Sequence, residues 1–296
     1  MKAMLLLRQS CLCLLMLLAV MANIASAASV DWTWISADDK YSKFYAPSEV
    51  QVTKKSTLKD GRTVATEIRA MVKTEYDYAG AQETIQNFEQ QQLVPNPAQL
   101  AYSIAIVRID PQNRRMKYEQ EDFCDASGKI LWTYNTAKEK EINSQQSFDE
   151  EYYTAIVDAV FRHGETDRRK AADRWVPLWT AVSTDGSATT SIADSTTMRL
   201  KGDNLIFWEW VELKDGKGNV KEVKFMKKAV NLAQGTQRVE VCRYWKEAKG
   251  WQDLTDELDG MYTAIREGSY EERGLTKLRA YANGYQYWLR RYSIDG

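Results

Sequence analysis

Apolar and polar positions alternate in some stretches of the chain and recur every three or four residues in others. Over residues 64–73, Val64, Ile68, Ala70 and Val72 share one face while Glu67, Arg69 and Lys73 share the other, which predicts a half-buried antiparallel strand. Over residues 205–213 both faces are apolar: Leu205, Phe207, Val211 and Leu213 line one, and Ile206, Trp208 and Trp210 line the other. A strand of that kind needs cover on both sides. Asp110-Pro111-Gln112-Asn113, Ala126-Ser127-Gly128, Asp215-Gly216-Lys217-Gly218-Asn219 and Lys249-Gly250 read as hairpin turns, since Gly, Asn and Asp accept the left-handed backbone that such turns use. The Asp215 to Asn219 stretch lacks the alternating carboxylates and distal Glu of a calcium loop.

Helical spacing appears three times. Tyr152, Ile156, Ala159 and Val160 predict a helix over residues 148–162, and Leu258, Tyr262 and Ile265 predict one over residues 254–267. A third runs over residues 270–291 on Leu275, Leu278, Tyr281, Ala282, Tyr285, Trp288 and Leu289. That last helix is expected to pack on apolar surface of the second domain, with the Trp208/Trp210 face as its candidate seat. The Gln-rich residues 82–92 and the following Pro95-Asn96-Pro97 predict a short helix and an exposed loop.

The order of these features repeats. Each half opens on paired tryptophans, Trp32 and Trp34 or Trp175 and Trp179, and continues with Pro47-Ser48-Glu49-Val50 or Ser195-Thr196-Thr197-Met198. An alternating strand follows, then hairpin strands around residues 109–115 and 232–238, then Tyr153-Thr154-Ala155-Ile156 or Tyr262-Thr263-Ala264-Ile265 with a glycine (Gly164, Gly268) close behind. Such self-similarity predicts a tandem duplication. The expected fold is α+β: two tandem small domains, each a mainly antiparallel β-sheet with a C-terminal helix, plus an extra C-terminal helix. The first copy takes residues 28–165 and the diverged second copy 166–296, joined through the charged, poorly periodic stretch 162–174.

Composition narrows the class. The chain has 296 residues, 44% hydrophobic and 27% charged, which fits two solvated domains with real cores. With 40 Lys+Arg against 41 Asp+Glu and a pI near 6.1, no bulk charge exists to hold nucleic acid. A lone histidine, His163, excludes an HExxH zinc site and leaves little room for a Ser–His–Asp triad; no CxxC, P-loop, GxGxxG or GxSxG occurs, so no metal or cofactor is expected. Lys2 and Arg8 precede an apolar run over residues 11–22 that is too short to span a bilayer, and Ala25-Ser26-Ala27 offers small residues for cleavage. Residues 1–27 are therefore predicted to be a signal peptide, and the product to be exported to the periplasm or cell surface with no stable membrane span. Cys124 and Cys242 remain after cleavage, and in an oxidising compartment two readings stand: a disulfide, or two separate buried thiols.

Two features could carry function. Glu209, between Trp208 and Trp210, would become a general acid if desolvated, and would be an ordinary ion pair if Arg238 or Lys228 on a neighbouring strand met it. Trp208 and Trp210 are candidate binding residues, because tryptophans supply large rigid contact area for sugars and proteins.

Trp32-x-x-Ile35, then Phe44-Tyr45-Ala46-Pro47-Ser48-Glu49-Val50, then residues 69–76 ending Val72-Lys73-Thr74-Glu75-Tyr76, resemble the surface-adhesin protein E family of bacterial exported proteins. Ala46 stands where that family commonly has Asp; the second half keeps Asp194 before Ser195-Thr196-Thr197-Met198 but lacks the Lys-Thr-x-Tyr ending. The resemblance implies a small antiparallel sheet with a C-terminal helix in each copy, and a partner among host matrix or serum proteins. The leading expectation is thus a non-enzymatic binding protein of the cell envelope. The alternatives are an accessory protein docking an envelope partner, and a hydrolase using Glu209.

Overall fold

The computed structural model describes residues 30–57, 61, 63–136, 138–161 and 173–290. The expected signal peptide, His163 and most of the expected connection lie outside the described residues. The first half forms β1 (Thr33–Ala37), β2 (Tyr41–Tyr45), β3 (Gln51–Thr57), β4 (Thr63–Tyr76), β5 (Tyr102–Asp110), β6 (Arg115–Cys124), β7 (Ile130–Tyr134) and β8 (Lys140–Glu141). The second half forms β9 (Trp175–Val182), β10 (Ala188–Asp194), β11 (Arg199–Lys201), β12 (Asn204–Lys214), β13 (Val220–Asn231), β14 (Thr236–Lys246), β15 (Gly250–Asp253) and β16 (Thr263–Ala264). One sheet has the order β1-β2-β4-β5-β6-β7, with β3 on β4 and β8 on β6. The other has β9-β10-β12-β13-β14-β15, with β11 on β12 and β16 on β14, so the second repeats the first strand for strand. All pairings are antiparallel.

The repeat extends to the connections. A 3-10 turn follows β2 at Pro47–Glu49 and follows β10 at Ser195–Thr197. The β5–β6 turn begins at Asp110 and the β13–β14 turn at Asn231, and in both a side-chain oxygen of that residue accepts amides two or three positions on. The amide of Ile142 donates to the carbonyl of Arg114, and the amide of Ile265 donates to that of Gly235. The departure is α1 (Tyr78–Asn87), inserted between β4 and β5, where the second half turns directly from β12 into β13.

Each sheet is closed by a helix: α2 (Ser147–Phe161) after β8, and α3 (Tyr270–Gly284), continued by the short α4 (Gln286–Leu289), after β16. This corrects the expected helix over residues 254–267. That stretch holds a 3-10 turn at Thr255–Glu257 and the strand β16, with Gly260 at φ +66° breaking any helical run. The two Tyr-Thr-Ala-Ile stretches are consequently not equivalent, since the first lies inside α2 and the second runs through β16. The helix at 270–284 is the counterpart of α2 and not an additional element.

The seat of α3 also differs from expectation. Leu275, Leu278, Tyr281 and Ala282 pack with Leu178, Leu205, Phe207 and Val230, on the face of β12 opposite Trp208 and Trp210. In the first half, α2 buries Tyr152, Tyr153, Ile156 and Val157 against Ile68, Val107, Ile109 and Met116. A separate cluster under α1 joins Ile85, Val94, Leu100, Phe123 and Trp132. Between these two clusters runs a polar seam. Tyr76 shares a hydrogen bond with Ser103 (2.8 Å), Ser103 donates to Glu121 (2.8 Å), and Tyr118 and Lys140 both donate to Asp149 at 2.8 and 3.0 Å.

Candidate functional site

Glu209 is buried, 2% exposed, on the face of β12 that α3 covers. Ser191 on β10 donates to one carboxylate oxygen (2.5 Å), and Lys228 on β13 approaches the other at 2.7 Å. Lys228, one of the two partners expected from sequence, meets it; Arg238 pairs with Glu240. The cavity reaching Glu209 holds about 20 Å³, which has room for a water molecule and not for a substrate. The geometry is that of an internal ion pair, whose removal from one side would strand a buried charge.

Cys124 and Cys242 are free thiols, each buried within its own sheet. The disulfide reading is corrected accordingly: Cys124 ends β6 beside Tyr102, whereas Cys242 sits in β14 beside the Thr255 turn. Burial raises both thiol pKa values, which holds them as protonated, slow nucleophiles. A chain lacking residues 1–27 should therefore react sluggishly with Ellman's reagent when folded and release two equivalents only on denaturation. No thiol released after denaturation without reductant would instead report a bond.

The two candidate tryptophans part company. Trp208 is 3% exposed, stacks on Phe225 with centroids 4.4 Å apart, and donates its indole N–H to Glu141 of the first half (3.2 Å). Glu141 also receives Lys227 at 2.9 Å, so the first half caps this end of the second sheet. Trp210 is half-buried on the same face and lies 6.1 Å from Trp251, which is 48% exposed. Register places Trp245 directly opposite Trp251, and Arg243 opposite Asp253. The face uncovered by α3 therefore carries Trp210, Trp245 and Trp251 over a floor of Val223 and Phe225, with Arg243 and Asp253 at its side.

Trp245 and Trp251 were missed from sequence. Their signal was register: the Lys249-Gly250 turn pairs Trp245 with Trp251, which puts both side chains on one face. Chemically the patch offers rigid aromatic area flanked by charges of both signs, a composition typical of protein-contact surfaces. Among the described residues, no group of three or more His, Cys, Asp or Glu could hold a metal, and no helix is long and apolar enough to cross a membrane. No known protein family, curated protein or solved structure matches the chain. Fold and site together define a tandem-repeat, two-sheet protein with an open aromatic face on its second sheet.

Proposed function

We propose that this is an exported, non-enzymatic binding protein of the bacterial cell envelope, with an adhesin-like role, that meets another protein through the open face at Trp210, Trp245 and Trp251. The observation carrying this reading is the Trp210–Trp251 contact on a sheet face that no helix among the described residues covers. Tryptophans at such a spot expose apolar area that water solvates poorly and that a partner can bury. Export is supported by the basic, apolar and small-residue pattern of residues 1–27. The family resemblance supports the adhesin-like role through its turn motif, which recurs as the 3-10 turns at Pro47–Glu49 and Ser195–Thr197.

The test is cross-linking in intact cells together with adhesion to surfaces coated with matrix proteins, using wild type and the Trp210→Ala/Trp251→Ala variant. Wild type should be recovered from the periplasm or surface, and the variant should lose at least about tenfold in cross-link yield or adhesion, the scale of one or two aromatic hot spots. Cytoplasmic recovery, or equal capture by the variant, would refute the proposal.

A further inference from the structure

Strand-for-strand repetition makes it possible to ask what each copy holds at equivalent places, and two of the differences meet in space. In the β5–β6 turn Arg114 has φ +50°, and the equivalent place in the β13–β14 turn is Gly235, at φ +68°. A side chain in that left-handed region is disfavoured, and glycine escapes the cost. Arg114 is nevertheless only 6% exposed and fully engaged. It donates to the Ile142 carbonyl (2.9 Å), to Glu150 at the start of α2 (3.0 Å), and across to the Thr196 carbonyl of the second half (2.9 Å), while its guanidinium stacks 5.0 Å from the Tyr153 ring.

The second difference lies at the 3-10 turns. Ala46 precedes the first turn and Asp194 the second, and both are fully buried. Asp194 accepts from the backbone and hydroxyl of Thr196 and from Arg174 (2.9 Å), and Arg174 reaches back to Glu150 (3.0 Å). Arg114, Glu150, Arg174 and Asp194 thus form one continuous chain of charges across the boundary between the two sheets. Its acidic and basic members alternate, and it joins the β5–β6 turn of the first copy to the 3-10 turn of the second, each of which differs from its sister turn.

We infer that this charge chain is a latch, produced by divergence of the repeats, that locks the two copies into one rigid unit. Arg114 tolerates a strained backbone because its side chain spans the joint, and Asp194, where the sister turn has the buried Ala46, holds Arg174. The latch also keeps Glu141 seated on Trp208, so the open face of the second sheet ends at Trp210.

The sister copy supplies the test. Arg114→Gly and Asp194→Ala each install the residue that the other repeat carries at that place, a residue around which the same strand order is built. In each variant of the full chain the circular dichroism spectrum should match wild type. Small-angle scattering should show a larger radius of gyration than wild type. An unchanged radius overturns the latch. Loss of folded structure in either variant overturns it as well, since that residue would then be a support of its own sheet.

Discussion

Replacing Glu121 with glutamine should stabilise the protein at pH 8 and leave it unchanged near pH 4.5. Burial beneath α2 and the nearby Asp149 carboxylate push the Glu121 pKa from 4.5 up to about 7, against the opposing pull of Ser103 and Lys140. Between those two values the folded chain retains a proton that the unfolded chain releases. Stability therefore falls as pH rises through that window, and the whole penalty is present above pH 7. The size is roughly 2–3 kcal/mol, from about 1.4 kcal/mol per pH unit less an allowance for the part of the carboxyl near solvent. Glutamine keeps an oxygen for Ser103 and has nothing to ionise. Thermal melts of wild type and variant from pH 4.5 to 8 should converge at the acid end and diverge steadily above it; parallel curves would contradict the account.

The second large effect concerns α3. Leu278 is 2% exposed against Phe207 and Val230, so Leu278→Ala should cost about 2–5 kcal/mol, the range for a buried leucine cut to alanine. Removing residues 270–296 altogether should bare Leu178, Leu205 and Phe207 and make the chain aggregate, while the core of Ile68, Val107 and Ile156 persists. A truncated chain as soluble and heat-stable as wild type would show that α3 is dispensable. The helix declares its own start: Ser269 accepts from the Glu272 amide (3.1 Å) and Glu272 accepts from the Gly268 amide (2.7 Å), a reciprocal cap.

Much of this architecture was readable in the chain. Alternation along β4 and β12, the hairpin turns and the paired tryptophans at the start of each half all depend on local chemistry, and they placed the strands and the duplication. The error arose where a coincidence of letters outweighed backbone chemistry. Tyr262-Thr263-Ala264-Ile265 echoes the α2 stretch, yet Gly260 and the acidic residues around it cannot sustain a helix, whereas the Ser269/Glu272 pair starts one at once. Which face of β12 takes α3 was not legible, because both faces are apolar and only the tertiary arrangement sends the first half onto Trp208. The Lys228 partner of Glu209 followed from strand adjacency, whereas the charge chain at Arg114 spans residues 114 to 194 and leaves no local mark. Its traces in the sequence are an arginine at a turn position where the sister copy has glycine, and an aspartate where the sister copy has alanine.

The central claim is that two copies of one sheet have separate cores, each closed by its own helix. Hydrogen exchange on the full-length Leu278→Ala variant tests it most directly. Amides of β9 to β16 should lose protection by the free energy the substitution removes, and those of β4, β5 and β6 should exchange as in wild type. Equal loss of protection in both sheets would mean a single shared core, and the account would be wrong.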